Sequence, residues 1–483
     1  MLSLTLFVLL ACDGKEGDSD AAGGHDSSST ADSEPLGDDT APPVDDTASG
    51  GDTDVADTAE TNTDVVQATD LSASLNDTIE SLITVSWQQN AAATAWVEYK
   101  LVDEDWRSSP PRSVEVGGVE QLLLGVPYEE EVTVRVVNDF GEGSLATDEL
   151  SITTGALPAT LPQATLISSE PADFDPETNF VFLSMSGGSD VWTFIVDRQG
   201  RVVWAWEVAN QRISLHPRVS HDGTEFLIDY NSYWTIFDGG DASQVLRLQI
   251  DGTEVERLDT PGLHHPFTET ADHSLVYAAA LSGNNETLVQ LEPDGTATTL
   301  FDCDAWRTTH GVSGSCGSNT LWWDEKNDRL LYSLYSVETV IEVDRVSGEA
   351  LRWFGHAAGS WGFEPEESAF WWQHGGYMTE AGTFLTSSKV SDRGRETVIR
   401  EYTLDEENEN LVEIWSFGEG EGVYGSVMGE AHRLANGNTL HNYGDAARIR
   451  EATEDGRVVW DIDWSSSFMG RSTPIDDLYA FTH

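Results

Sequence analysis

The sequence predicts an all-β protein whose larger part is a six-bladed β-propeller. A short phrase recurs along the last two thirds of the chain: a strand-like run, a turn of acidic residues and glycine, and a second strand-like run that often ends in tryptophan. About six copies recur at a period of roughly 50 residues, which is typical of propellers because one blade cannot bury both of its faces alone. The copies read VDRQGRVVW, QIDGTEVERL, EPDGTATTLF, VDRVSGEALRW, LDEENENLVEIW and EDGRVVW.

Each copy has the residues of a strand hairpin. Asp-Gly supplies the positive φ values of tight turns, and the flanking Val, Ile and Trp alternate with polar residues as half-buried strands do. The 16 Pro and 43 Gly in 483 residues also fit short strands joined by turns. We expect the tryptophans of the copies to pack between blades, at Trp204, Trp353, Trp415 and Trp460.

The charge of the chain excludes one class of partner. There are 85 acidic residues against 25 basic ones, which gives a formal net charge of -60. Such a surface repels phosphate backbones and anionic lipid headgroups. We therefore expect no nucleic-acid partner.

The N-terminus predicts export. The apolar run Met1–Leu10 leads into Leu-Leu-Ala-Cys, which resembles the lipobox of bacterial lipoproteins, with Cys12 as the acylated residue. Residues 1–12 are then a signal peptide, although no Lys or Arg precedes the apolar run. The protein is expected in the bacterial cell envelope, in the periplasm or at the outer membrane or cell surface, and on the membrane through the lipid anchor only. The alternative is a cytoplasmic protein with a chance LLAC.

Residues 13–67 read as a disordered acidic linker. They are mostly Asp, Thr, Ser, Ala and Gly, and too few large apolar residues are present to offset the entropy cost of ordering. A flexible chain of this length reaches on the order of 40 Å. The predicted role is a tether between the membrane and the folded part.

Residues 68–156 predict a small β-sandwich. Ile83–Trp87 and Ala95–Tyr99 alternate between apolar and polar residues, and a longer strand follows Tyr128. This pattern resembles a fibronectin type III domain, a fold used mostly for spacing and contact. Residues 163–483 then form the propeller.

Two cysteines remain after Cys12. In an exported chain, Cys303 and Cys316 predict a disulfide that closes a short loop. They lack the close Cys or His neighbours of a zinc site.

Histidines recur just before the first strand of successive blades, where the inner strands of a propeller line its central channel. A metal site is not expected, because no carboxylates repeat at close spacing. Structural imidazoles bonded to backbone, and catalytic imidazoles, remain the two open readings. The set is His216, His264, His265, His310, His374 and His432.

Three longer phrases resemble the bacterial arylsulfate sulfotransferase family. They are GEAHRLANGNTLHNYGDAARIREATEDGRVVWDI, SNTLWWDEKNDRLLYSLYSVETVIEVDRVSGEALRWFG and WWQHGGYMTEAGTFL, and the resemblance covers about Leu166–Trp464. It implies an exported six-bladed propeller that moves a sulfuryl group from a phenolic sulfate ester to a phenol through a covalent sulfohistidine. No cofactor is implied.

The resemblance also implies site residues. His374 matches the nucleophilic histidine of the family, Asn319 matches the asparagine of its H-x-N phrase, and His264 or His265 matches a histidine of an earlier blade. This chain departs from the family at two positions, because Gly317 replaces the histidine of H-x-N and Tyr335 stands nearest to a family arginine.

The accessory candidates are His310, His432, Arg433 and Tyr335. Arg433, Arg448 and Arg471, placed in the last blade, are the candidates for the missing positive charge, against the simpler reading of solvated ion pairs. His221, His273 and His441 are interpreted as structural. The alternatives to an enzyme are a non-catalytic propeller lipoprotein that binds a ligand or partner at a degenerate site, and a surface spacer.

Deleting residues 13–66 tests the linker hypothesis. A polar tether contributes no apolar core, so the deletion should leave the Tm unchanged in calorimetry. A fall of several degrees would show that the segment packs on the folded part.

Overall fold

The computed structural model describes residues 67–482, apart from residues 140, 142, 188–189, 237, 282–284 and 466–467. The predicted signal peptide with Cys12 and nearly all of the predicted linker lie outside the described residues. The fold is all-β, with a two-sheet sandwich followed by a six-bladed propeller. Within the described part of the chain, no helix is long and apolar enough to cross a membrane.

The sandwich has nine strands in two antiparallel sheets. One sheet has the order β1-β2-β6, and the other has the order β4-β3-β7-β8, with β5 paired to β3 and β9 paired to β7. The predicted alternation is present, since Ile83, Val85 and Trp87 of β2 all point into the core between the sheets. The strands are β1 (Ala68–Leu75), β2 (Ile83–Gln89), β3 (Ala93–Leu101), β4 (Arg107–Ser108), β5 (Arg112–Val114), β6 (Gly117–Leu123), β7 (Glu131–Asp139), β8 (Ser144–Ala146) and β9 (Leu150–Thr153).

The propeller contains the remaining strands. The first half of it has β10 (Thr165–Ser169), β11 (Phe180–Gly187), β12 (Asp190–Asp197), β13 (Val202–Glu207), β14 (Arg218–Val219), β15 (Phe226–Tyr230), β16 (Gln244–Leu248), β17 (Glu254–Asp259), β18 (Leu263–Glu269), β19 (Leu275–Leu281), β20 (Asn285–Leu291) and β21 (Ala297–Asp302). The second half has β22 (Ser318–Asp324), β23 (Arg329–Leu334), β24 (Thr339–Asp344), β25 (Ala350–Gly355), β26 (Gly362–Glu364), β27 (Trp371–Met378), β28 (Phe384–Lys389), β29 (Thr397–Asp405), β30 (Asn410–Phe417), β31 (Glu430–Arg433), β32 (Thr439–Asn442), β33 (Arg448–Ala452), β34 (Val458–Asp463) and β35 (Phe468–Ile475).

Each blade is an antiparallel sheet whose outer hairpin is one of the six sequence phrases. Blades two, three and four are β14–β17, β18–β21 and β22–β25 in chain order, and blade five is β27–β30 with the short β26 added in parallel at its outer edge. Blade six is β31–β34 with β10 on its outer edge. Blade one has the order β13-β12-β11-β35, so the last strand of the chain forms its inner strand.

This closure corrects one sequence-based assignment. Arg471 was placed in the last blade, but it lies on β35 and therefore on the inner strand of blade one. The phrase repeat could not reveal this, because it marks outer hairpins only.

Tryptophans fasten neighbouring blades as predicted in three of four cases. The indole nitrogen of Trp204 donates to the carbonyl oxygen of Ile250 (2.7 Å), in the outer turn of the next blade. Trp460 donates in the same way to Arg198 (2.8 Å), which joins blade six to blade one, and Trp415 donates to Glu454 (2.8 Å).

Trp353 is the exception. Its indole donates to the carbonyl oxygen of Ala358 in the adjacent loop (3.1 Å), and its ring packs edge-on against Trp306. It is half-buried, whereas Trp204 and Trp460 are fully buried. Trp353 therefore lacks the indole bond to the next blade, although its ring packs against the hydrophobic cluster that blades three and four share.

One α-helix, α1 (Cys303–His310), connects blades three and four. The side chain of Asp302 caps its N-terminus by accepting from the Ala305 amide (3.0 Å), and Gly311 ends it with a φ of 67°. A disulfide joins Cys303 to Cys316, both fully buried, which confirms the predicted pair. The short 3-10 helices are Pro171–Asp173, Tyr335–Val337, Glu366–Ser368, Gly444–Ala446 and Leu478–Thr482.

The sandwich packs on blades one and two. Ile79 and Leu82 share a hydrophobic cluster with Trp204, and the Ser81 hydroxyl donates to the carbonyl oxygen of Val203 (2.7 Å). Arg201 also bridges to Glu104 (3.0 Å). The sandwich is thus attached to the ring by apolar and polar contacts.

The tryptophan contacts predict a difference between two matched substitutions. Trp204→Phe leaves the buried Ile250 carbonyl without its donor and should lower the free energy of unfolding by about 1–3 kcal/mol, besides the lost packing. Trp353→Phe should cost less, because Ala358 is exposed and water replaces the indole donor. Urea unfolding of both variants measures this, and equal losses would contradict it.

Candidate active site

One end of the central channel collects buried polar side chains from the inner strands of all six blades. His264 and His265 begin β18, Asn319 lies on β22, His374 on β27, Glu430 on β31 and Arg471 on β35. His216 lies just before β14. All seven side chains are buried, with His216 and Arg471 fully so. We call these seven residues the channel cluster.

The backbone around His374 fits only glycine at the next position. Gly375 has a φ of 65°, and a Cβ built on it would come within 2.5 Å of Cβ of Glu430 and 3.1 Å of Nη1 of Arg471. Its amide donates to Oγ1 of Thr320 (2.9 Å). The His-Gly-Gly phrase thus brings His374 onto the same spot as Glu430 and Arg471.

Hydrogen bonding fixes the tautomer of His374. Its Nδ1 lies 3.0 Å from the carbonyl oxygen of Trp372, and a carbonyl can only accept, so Nδ1 carries the proton. Burial lowers the pKa of His374 well below its usual range, and the positive charges of Arg471 and Lys389 lower it further. The ring is therefore neutral near pH 7, with the lone pair on Nε2.

Two aromatic rings flank His374. The ring of Tyr335 lies 5.1 Å from the imidazole and 5.1 Å from the ring of Trp372. Lys389 lies over the other ring, with Nζ 4.9 Å from the Trp372 centroid. Tyr335 and Trp372 are half-buried, so part of each ring borders solvent beside the imidazole.

Arg471 is a buried cation with unused donors. Its Nη2 donates to the Asn319 carbonyl oxygen (2.9 Å) and to Oγ1 of Thr320 (2.7 Å), whereas Nε and Nη1 find no hydrogen-bond partner among the described residues. Burial lowers its pKa to about 10, against the opposing effect of Glu430, so the guanidinium stays charged at neutral pH. A buried cation of this kind favours an anion beside it.

Glu430 interacts electrostatically with two arginines. Arg218 donates to it (3.0 Å), as does the Ser472 amide (2.6 Å), while Arg471 lies near enough to lower its pKa. Burial alone would raise the pKa of Glu430, but these charges hold it well below the usual range. Arg218 therefore pairs with this carboxylate, and Arg471 lies beside it with donors left unused.

Two further imidazoles beside Arg471 are neutral. Burial lowers the pKa of His216 and of His265 well below the usual range, and Arg471 adds to the effect in both. Nε2 of His216 accepts from Arg218 (2.7 Å). The rings of His264 and His265 lie 4.3 Å apart.

Asn319 acts mainly through its bonds to neighbouring strands. Its side-chain nitrogen donates to the backbone carbonyl oxygen of Gln373 (2.7 Å), and its backbone carbonyl oxygen accepts from Arg471. It thus holds the residue before His374 and the guanidinium in one place. Gly317 lies at the loop before β22, where its amide donates to Oγ of Ser336 (2.9 Å), next to Tyr335.

The structure does not bring His310, Arg433 or Arg448 to this spot. His310 is exposed at the end of α1 and packs on Trp306 and Trp353, away from the inner strands, because the connection before blade four is a helix. Arg433 bonds Glu401 and lies over Trp415, and Arg448 bonds Asp461 (2.5 Å), so both are structural.

His432 borders the channel cluster, with its Nε2 3.6 Å from Oε1 of Glu430. Its Nε2 donates to the Ser472 carbonyl oxygen (2.9 Å), and it lines a cavity of about 720 Å³ together with His221, Trp322 and Met378. His441 is buried against Ser387 and Tyr443, as the structural interpretation predicts.

Sequence reasoning missed Glu430 and Glu286 and named Arg471 as only one of three arginines. Glu430 precedes His432 in the phrase GEAH, so its place on an inner strand was the available signal. No group of three or more His, Cys, Asp or Glu side chains suited to a metal ion occurs in the described ranges. The cluster therefore combines a neutral imidazole with a buried guanidinium that has unused donors.

Comparisons with known proteins agree with the resemblance seen in the sequence. Residues 317–471 match the family model described as Arylsulfotransferase (ASST). This range contains Asn319, His374, Glu430 and Arg471. A search of curated proteins found no match.

Solved structures similar to the chain include a protein of unknown function from Bacteroides caccae, with 15% identity and a TM-score of 0.43 over 62% of this chain and 100% of that one. Another, of unknown function from Bacteroides thetaiotaomicron, has 13% identity and a TM-score of 0.36 over 82% and 98%. A streptogramin B lyase has 13% identity and a TM-score of 0.38 over 62% and 86%.

The unused donors of Arg471 predict that sulfate binds the folded protein. At constant ionic strength, replacing chloride by sulfate should raise the Tm by a few degrees, because an anion bound only to the folded state stabilises it. Arg433→Gln should keep this shift, whereas Arg471→Gln should lose it. Equal shifts in the two variants would contradict the assignment of Arg471 as the anion site.

Proposed function

We propose that this protein is an aryl-sulfate sulfotransferase-like enzyme that moves a sulfuryl group from a phenolic sulfate ester to a phenol through a sulfohistidine at His374. The observation that carries the proposal is the neutral imidazole of His374 beside the buried guanidinium of Arg471. The imidazole supplies the nucleophile, and the guanidinium stabilises charge on the transferring oxygens.

In the first half of the reaction, Nε2 of His374 attacks the sulfur of the donor ester. The N–S bond forms as the bond from sulfur to the phenolic oxygen breaks, and the donor leaves as a phenolate that then takes up a proton. The bond from Nδ1 to the Trp372 carbonyl supports this step, because positive charge grows on the imidazole as Nε2 is sulfated. Nε and Nη1 of Arg471 are the donors for the sulfuryl oxygens.

In the second half, the oxygen of an acceptor phenol attacks the sulfur of sulfo-His374. The N–S bond breaks, a new sulfate ester forms, and the imidazole returns to its starting state. Both halves use the same cation and the same nucleophile, so the acceptor occupies the place that the first phenol leaves.

Tyr335 gives the site a means of selecting aromatic rings. Where the family has an arginine, this chain has an aromatic side chain 5.1 Å from His374 and from Trp372. Phenol rings stack favourably on such faces. We assign ring binding to Tyr335 and Trp372, and the charge role of the missing arginine to Arg471, which approaches from blade one.

We also propose that the protein is exported and lipid-anchored at Cys12 in the bacterial cell envelope. The lipobox-like sequence supports this, and the buried disulfide between Cys303 and Cys316 is of the kind that forms in oxidising compartments. The fibronectin-like sandwich would then space the propeller from its anchor.

A ligand-binding propeller without turnover is the second candidate. The observation in its favour is the pair of departures at Gly317 and Tyr335, which remove two groups that the family uses. Such a protein would bind an aryl sulfate at the channel cluster and release it unchanged.

Mass spectrometry of the intact protein separates the two candidates. Brief exposure to 4-nitrophenyl sulfate should add one sulfuryl group, mapped to His374, together with release of 4-nitrophenol. His374→Ala should abolish the label, because it removes the imidazole to which the proposal assigns the attack on sulfur.

His310→Ala is the matched control, since it removes an exposed imidazole that lies away from the channel cluster. It should label as the wild type does. A label that persists in His374→Ala, or the absence of any label in the wild type with retained aryl sulfate binding, would refute the proposed mechanism and favour the binding protein.

A further inference from the structure

Glu286 is a buried carboxylate next to the channel cluster that the mechanism above does not use. It lies on β20 of blade three, is 3% exposed, and bonds three groups. Oε1 lies 2.9 Å from Nε2 of His264 and accepts from the Ser318 amide (2.9 Å), and Oε2 accepts from the Tyr332 hydroxyl (2.6 Å).

The carboxylate is ionised. Burial raises the pKa of Glu286, but the charge and hydrogen bond of His264, with the bonds from Ser318 and Tyr332, outweigh burial and hold the pKa below its usual range. An ionised carboxylate only accepts hydrogen bonds, so Nε2 of His264 carries a proton. Nδ1 is then the ring nitrogen left for exchange, and it is buried with no hydrogen-bond partner among the described residues.

His264 is linked to the reacting groups through His265. The ring of His264 lies 4.3 Å from that of His265. Burial lowers the pKa of His265, and His264, Arg471 and His374 lower it further. Tyr233 lies 5.5 Å away on the other side. The charged and titratable groups around the pair are thus Glu286, His265, Tyr233, Tyr332 and Arg471.

We propose that Glu286 is a positioning residue that makes His264 the carrier of the proton exchanged with the phenol oxygens. This inference rests on the proposed function. Imidazolium at His264 gives its Nδ1 proton to the departing phenolate as the S–O bond breaks. Neutral His264 then takes a proton from the acceptor phenol as its oxygen attacks sulfo-His374, so the proton count closes over the two halves.

Glu286 contributes charge and orientation to this exchange. A buried carboxylate on Nε2 stabilises the imidazolium and selects one tautomer, as the carboxylates of catalytic triads do. Through Ser318 it also holds the first residue of β22, next to Asn319. A test must therefore separate proton transfer from support of the strand.

The dependence of the rate on the basicity of the leaving phenol separates the two roles. 4-Nitrophenolate departs without a proton, whereas the more basic phenolate of phenyl sulfate needs one. In single-turnover formation of sulfo-His374, Glu286→Gln should lower the rate with phenyl sulfate about 100-fold and the rate with 4-nitrophenyl sulfate less than about 10-fold. Glu286→Asp, which keeps the charge, should restore part of the difference.

Tyr332→Phe is the matched control, because it removes one bond to Glu286 and leaves the carboxylate on His264. It should change the two donors by the same small factor. Equal slowing of both donors by Glu286→Gln would overturn the inference while leaving the sulfohistidine intact. A wild-type protein that forms no sulfo-His374 would overturn the proposed function and this inference with it.

Discussion

The pairing of β35 with β11 is the contact on which the ring and its channel depend. The last strand of the chain lies antiparallel to β11 from Phe180 opposite Ile475 to Ser186 opposite Phe468. It supplies blade one with its inner strand. Side chains of this strand complete the hydrophobic clusters that blade one shares with blades six and two. The same pairing carries Arg471 to the channel. The strand pairing that closes the ring therefore also places the cation of the site.

The electrostatics of the channel cluster run against those of the whole chain. The protein has a formal net charge of -60, yet at this spot Arg218 and Arg471 both lie beside Glu430, and three surrounding imidazoles are neutral. A buried guanidinium with unsatisfied donors costs free energy in the absence of an anion. In a binding site a bound anion offsets that cost in free energy, whereas in a spacer nothing would offset it.

The sequence predicted the fold well because its signals are local. Each outer hairpin carries its own acidic turn, and Trp204, Trp415 and Trp460 lie on the strands that follow such turns. His374 was predicted from its place at a blade start and from the family resemblance of its phrase, and the backbone at Gly375 explains why a glycine follows it. The disulfide followed from the cysteine count.

The remainder of the site depends on contacts between distant residues. Arg471 reaches Asn319 across 152 residues, and Glu286 holds the backbone of Ser318 across 32. Spacing along the chain says which blade a residue belongs to, but not its depth from the axis or the end of the channel that it faces. His310 and Arg433 had the expected spacing, yet they lie on a connecting helix and in an ion pair with Glu401.

The stereochemical course of transfer at sulfur tests the central claim most directly. A phenolic sulfate made chiral with three oxygen isotopes would be the donor, with a different phenol as acceptor. Two successive in-line displacements, first by His374 and then by the acceptor, predict retention of configuration at sulfur. Inversion would mean that the sulfuryl group passes directly between the two phenols, and that the imidazole beside Arg471 is not the nucleophile.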